Sequence, residues 1–342
     1  MKTCFLHVGF HKTATTTFQQ ICGNNRDVLK KAGIFYPQFN YPPEKENRCN
    51  HSGPLSMVYK RDYASKLKKN YSQIDQGELL TSNIECQIKA LQQENDLLYS
   101  GEALCAWPQD YYRRFLEELE TFGFKVKVLA LVRPPYSYAC SAMQENIKSG
   151  KFNPLIGLDQ PHRKRAITKL LPSRSREIET LQKVFGEDIN FQPFSRALAH
   201  HDGPAAFCLE QLGIPVSWQS IRQDSNFRRN ESLNNQQVRA MNLINKEFHA
   251  QQSRKRCSKN NFKILRKGLD QLKGGRFLLT ESEFQLIKSQ YKQLKQEIND
   301  LLGASFAEES LTFSDPISNH RDIIQSMARC AALVATQKIP KK

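Results

Sequence analysis

Apolar residues in this chain collect in short unbroken runs, and longer stretches between the runs carry them at helical spacing. Phe5-Leu6-His7-Val8 reads as a buried strand, and residues 15–31 as a helix closed by Ala32-Gly33. Ile34-Phe35-Tyr36-Pro37 is a second short strand ended by proline. The polar, proline-bearing stretch 38–50 is a loop, and a helix starts at His51-Ser52-Gly53-Pro54. Ile84, Ile88 and Leu91 mark an amphipathic helix over 82–94. Residues 96–102 form a third strand, 108–122 a helix, and Val126 to Val132 a strand apolar enough to be buried on both faces. Arg133-Pro134-Pro135 stops that strand, and 136–149 continues as helix. Strands alternating with helices in this way predict a parallel sheet built from right-handed βαβ units.

Beyond residue 150 the pattern loosens. Residues 151–175 are basic and interrupted by proline, and read as an excursion over the surface. Residues 176–185 form a helix leading to a strand at 189–194, with a further helix at 204–212. Amphipathic helices are expected at 233–248 and 281–302, flanking a basic, glycine-containing stretch at 252–276, and a last helix at 323–334. The expected organisation is one domain over 1–302 and a helical tail over 303–342. No internal repeat or low-complexity segment is visible.

Charge changes the picture. Fifty Lys and Arg against 34 Asp and Glu give a formal net charge of +16, a long-range attraction for anions that does not choose among nucleotide, acidic glycan, nucleic acid and membrane surface. No run approaches the roughly 20 apolar residues of a membrane helix. The first strand begins close to Met1, so no signal peptide is expected. Nine scattered cysteines, with no CxxC pair, suit a reducing compartment, so a cytoplasmic protein is expected. His200-His201 has no partner at metal-ligand spacing, and no metal is expected.

The candidate chemistry lies at the ends of two strands. After the first comes Gly9-Phe10-His11-Lys12-Thr13-Ala14-Thr15-Thr16-Thr17, a tight turn opening a helix. Backbone N–H groups and the helix dipole make such a place an anion cradle, and Lys12 with the hydroxyls of Thr13, Thr15 and Thr16 adds donors. After the long apolar strand comes Arg133, with Ser141 eight residues later, a little over two helical turns. A phosphotransferase loop of the GxxxxGK[ST] kind needs a glycine before the lysine and an aspartate ending a partner strand for magnesium. This chain has neither, so a magnesium-dependent kinase is disfavoured.

Lys12-Thr13-Ala14-Thr15-Thr16 resembles the KTGTT-like 5′-phosphosulfate loop of sulfotransferases that use 3′-phosphoadenosine 5′-phosphosulfate (PAPS). Leu131-Val132-Arg133-Pro134-Pro135 with Ser141 resembles their 3′-phosphate segment. Weaker similarity to bacterial-type members lies in Gly33 to Pro37, in Phe191 to Phe194 with Leu212 to Ile214, and in Asn230 to Leu233. The resemblance spans about residues 4–302, with Ala14 where glycine is commoner. It implies an α/β, three-layer P-loop-like fold whose central parallel sheet is flanked by helices. It also implies PAPS as donor without a metal. Gly9, His11 and Lys12 to Thr17 would hold the 5′-phosphosulfate, Lys12 at the breaking bond, and Arg133 and Ser141 the 3′-phosphate.

Transfer also needs a general base at the acceptor. His51, entering a helix where the family places acceptor-side residues, and Glu102, ending the third strand, are the two candidates. The plainer readings are a polar helix start for His51 and, for Glu102, a Ser100/Glu102 turn or an ion pair to Lys12 or Arg133. His7, inside its strand, reads as a satisfied core residue, and His11 as lining the site. A saccharide or glycolipid acceptor is expected from the bacterial-type resemblance. Two alternatives stand beside transferase activity: a magnesium-dependent nucleotide or small-molecule kinase, and a non-catalytic basic binder of glycan or nucleic acid. Nucleic acid is the weaker partner, because 252–276 has few aromatics for base stacking.

Overall fold

Five strands form where the sequence runs apolar: β1 (Lys2–Val8), β2 (Ile34–Phe35), β3 (Asp96–Gly101), β4 (Phe124–Val132) and β5 (Ile189–Pro193). A computed structural model describes residues 1–41, 49–60, 76–167, 171–222, 232–251, 267–317 and 320–337. Every strand pair in it is parallel, in the order β2-β3-β1-β4-β5. Strand alternation sends Cys4, Leu6, Val8, Leu97, Tyr99, Val128, Ala130 and Val132 to one face, and Phe5, Leu98, Leu129 and Leu131 to the other. Each face buries its own cluster under helices, which gives the three layers of an α/β fold.

The helices are α1 (Thr15–Asn24), α2 (Arg26–Lys31), α3 (Ser52–Tyr59), α4 (Gln76–Leu91), α5 (Gln109–Thr121), α6 (Pro135–Lys148) and α7 (Ser175–Phe185). They continue with α8 (Phe194–Ala199), α9 (Gly203–Leu212), α10 (Asn235–Gln251), α11 (Glu281–Gln285), α12 (Lys288–Leu302) and α13 (Arg321–Gln337). Among the described residues none is long and apolar enough to cross a membrane.

Two helices expected as single rods are broken. The stretch 15–31 divides at Asn25, whose side chain donates to the Ile21 carbonyl at 2.9 Å and accepts the Arg222 N–H at 2.8 Å. That tertiary bond outweighs local helix continuity. The stretch 281–302 divides at Leu286-Ile287, where the Leu286 carbonyl accepts the Ile167 N–H at 2.8 Å and is lost to the helical ladder.

The chain resolves into two compact units, the first formed by residues 1–134, 173–229 and 297–307, the second by 135–172, 230–296 and 308–342. The first holds the whole sheet. The second packs Ala139, Met143, Val238, Met241, Phe277, Leu279, Phe284 and Ile287 into a helical core. Part of the expected basic stretch, 252–266, lies outside the described residues, as do loop residues 42–48 and Asn230-Glu231.

The candidate anion-binding site

In the first unit, chain direction across the sheet reverses between β1 and β4, and the carboxyl ends of these neighbours lead into the 9–14 loop and Arg133. Such a reversal is where parallel α/β sheets bind ligands. Gly9 opens the loop by donating to the Gly101 carbonyl at 3.1 Å. A Cβ at Gly9 would meet Thr15 Oγ1 at 2.4 Å and Cγ2 at 2.6 Å, so the loop folds onto the helix start only without a side chain there. Lys12 and Ala14 are both left-handed, at φ 69° and 59°.

Left-handed Ala14 followed by helical Thr15 turns successive amides to one side, an anion-binding nest. Phe18 is the first residue of α1 to bond back, to the Ala14 carbonyl at 3.2 Å. Ahead of it, the amides of Thr15, Thr16 and Thr17 meet no acceptor among the described residues, and no side chain caps the helix. These amides and the dipole behind them suit a phosphate or sulfate oxygen. The threonines divide between two tasks. Thr13 donates its hydroxyl to the Phe10 carbonyl at 2.6 Å and lies 3.3 Å from Thr15 Oγ1, and both residues are buried. Their hydroxyls brace the loop from within, whereas Thr16 and Thr17 are half-buried.

Alanine in the left-handed region carries a steric cost that glycine does not. Ala14→Gly is therefore expected to raise stability by about 0.5–1 kcal/mol, the relief at φ 59° exceeding the added entropy of the unfolded chain. Urea unfolding checks this, and a lower midpoint in the variant contradicts it.

Arg133 donates through Nη1 to the Lys12 carbonyl at 2.7 Å, and its guanidinium lies 5.2 Å from the Phe194 ring centroid. Glu102, just past β3, sits on the other side of the loop. His11 Nδ1 is 3.0 Å from Glu102 Oε1. Burial raises the Glu102 carboxyl, but the His11 hydrogen bond and charge, the Lys12 charge and the Lys12 N–H together hold it below the usual carboxylate range. The side chain hydrogen-bonded to Glu102 is thus His11, which the sequence did not suggest, while the Lys12 charge also acts on the carboxylate. The pairing explains it: β1 and β3 are hydrogen-bonded neighbours, and both residues follow their carboxyl ends.

His51 is corrected from base to structural pin. It is fully buried, its Nδ1 accepts the Ser100 N–H at 3.3 Å, and its Nε2 donates to the Pro37 carbonyl at 3.0 Å. Both ring nitrogens are engaged, and the ring is packed by Tyr36, Phe39 and Tyr99. Burial, reinforced by the Arg26 charge, pushes its pKa down to about 3. His7 is also fully buried, 2.9 Å from Ser100 Oγ through Nδ1, but its Nε2 has no partner among the described residues. Burial lowers its pKa to about 4 against the opposing Glu102 charge. Ser141 lies half-buried on α6 in the second unit. No group of three or more His, Cys, Asp and Glu is placed to hold a metal among the described residues.

The two buried imidazoles make acid stability predictable. Each has a folded pKa below its unfolded value, so the unfolded state binds the extra protons, and stability present above about pH 6.5 is lost as pH falls. Between about pH 6 and 4 the two add a slope of about 2 kcal/mol per pH unit, each staying below its limit of about 1.4. Denaturant midpoints across this range check it, and a flat profile contradicts it.

No protein-family model matches the sequence, and no curated protein does. Among solved structures the chain is similar to a sulfotransferase from Alicyclobacillus acidocaldarius, at 14% identity and a TM-score of 0.36, covering 77% of this chain and 99% of that one.

Proposed function

We propose that this chain transfers a sulfonate group from PAPS to a hydroxyl or amine, with a saccharide or glycolipid as the expected acceptor. The observation that carries the reading is the uncapped start of α1, where a left-handed turn aims amides to one side beside Lys12. The cradle fits a phosphosulfate through backbone N–H groups, the half-buried Thr16 and Thr17, and the Lys12 ammonium. Lys12 stabilises charge on the leaving phosphate oxygen. Glu102 lies beside the same loop, against His11 and the Lys12 N–H. The sequence pattern of Arg133 followed by Ser141 supports recognition of a 3′-phosphate. A sulfonate group carries less charge than a phosphoryl group, which suits a loop with a lysine and no aspartate ending a partner strand.

Calorimetry with adenosine 3′,5′-bisphosphate tests the reading. Wild type is expected to bind it without added magnesium, and Arg133→Ala to weaken binding by about 10–100-fold, the worth of a charge-assisted hydrogen bond. Binding that requires magnesium favours the kinase alternative. No binding, or binding indifferent to Arg133→Ala and Ser141→Ala alike, removes the sulfotransferase reading.

A further inference from the structure

We propose that His11 is the general base of this site and that Glu102 is its positioning residue, an inference that rests on the transfer reading above. Two side chains from neighbouring strand ends meet here in the geometry of an oriented imidazole. His11 Nδ1 lies 3.0 Å from Glu102 Oε1, and the carboxylate also receives the Lys12 N–H. A carboxylate only accepts, so in the neutral ring the His11 proton sits on Nδ1 and Nε2 keeps its lone pair. Nε2 has no hydrogen-bond partner among the described residues, and the His11 side chain is 48% exposed against 29% for Glu102. The more buried member holds the ring and the more exposed member offers the basic nitrogen, as in a catalytic dyad.

The other candidates fare worse on geometry. His51 has neither nitrogen available, and His7 is fully buried. Glu102 itself is held in its charged form by His11 and Lys12, which makes it a weak proton acceptor and a good partner for an imidazolium. His11 directly precedes Lys12, so base and electrophilic lysine flank one turn of backbone. In the step, the acceptor oxygen bonds to sulfur and the sulfur–oxygen bond to phosphate breaks. That electron pair goes to the phosphate oxygen beside Lys12, and the acceptor proton goes to Nε2 of His11. The resulting imidazolium rests on the Glu102 carboxylate.

The first test reads the ring directly. In the full chain labelled with [15N]histidine, the signals lost in His11→Gln identify His11. They are expected to show Nδ1 protonated and Nε2 bare, and Glu102→Gln to shift that proton towards Nε2. A wild-type spectrum with the proton on Nε2, or one unchanged by Glu102→Gln, overturns the proposal. The second test is kinetic, with PAPS as donor and either methyl glucoside or 4-nitrophenol as acceptor. The phenol is largely ionised near neutral pH and needs little help from a base. His11→Gln is expected to lose about 10²-fold with the glucoside and far less with the phenol. Equal losses with both, or an inactive Glu102→Gln beside an unimpaired His11→Gln, also overturn it. The groups facing the dyad are Lys12, His7 and Cys105, so the acid limb of the glucoside rate must move in His11→Gln and not in Cys105→Ser. A chain that fails to bind adenosine 3′,5′-bisphosphate sinks the transfer reading alone, and the tautomer still decides the dyad.

Discussion

On the proposed reading, replacing Lys12 with alanine is expected to lower sulfonate transfer by about 10³-fold while changing the affinity for adenosine 3′,5′-bisphosphate far less. The difference follows from where charge develops. The leaving phosphate gains charge only as its bond to sulfur breaks, so an ammonium aimed there stabilises the transition state more than the ground state. The residue is held from both sides of its backbone. Its carbonyl accepts from Arg133 at 2.7 Å, its N–H serves Glu102, and its φ of 69° is a conformation that nothing but surrounding structure would maintain. Single-turnover rates beside calorimetry separate the effects. A variant with a raised KM and an unchanged kcat shows that Lys12 only binds. Lys12→Arg keeps the charge but widens the donor, and is expected to recover part of the loss.

The parts of this site that could be read from sequence are those fixed by local pattern. A buried strand followed by Gly9, Lys12 and a threonine run specifies a turn into a helix, and the apolar stretch ending at Arg133 specifies its central neighbour. Roles set by contacts distant in sequence were hidden. Thr13 and Thr15 looked like ligand donors because hydroxyls at a helix start usually are, yet Thr13 turns to Phe10 and braces the loop. His51 looked like a base at a helix entry, but Ser100, 49 residues away, takes one nitrogen, and the Pro37 carbonyl takes the other. The helix breaks at Asn25 and Leu286 come from Arg222 and Ile167, which no periodicity within the helices could announce.

The second unit carries the clearest case of an interaction invisible to pattern, and the largest expected stability effect. Glu283→Ala is expected to destabilise this unit by about 3–5 kcal/mol, the cost of leaving a buried charge unpaired. Arg239 and Glu283 are 0% and 1% exposed, and the guanidinium donates to Glu283 Oε1 at 2.6 Å and Oε2 at 3.0 Å. The same guanidinium holds the Gly157 carbonyl at 2.6 Å and Asn235 Oδ1 at 2.9 Å. Glu283 in turn accepts the Gly157 N–H at 3.1 Å and the Thr280 N–H at 2.8 Å, closing a capping box with Thr280. A buried pair can often be exchanged for apolar residues at little cost. Here the exchange would strand the Gly157 and Thr280 amides, each worth about 1–3 kcal/mol when buried without a partner. The double variant Arg239→Met with Glu283→Leu should therefore lose less than the two single losses added together, yet remain less stable than wild type. Amide exchange across α10 and urea unfolding measure both quantities. A double variant as stable as wild type would show that the stranded amides cost nothing and contradicts the prediction.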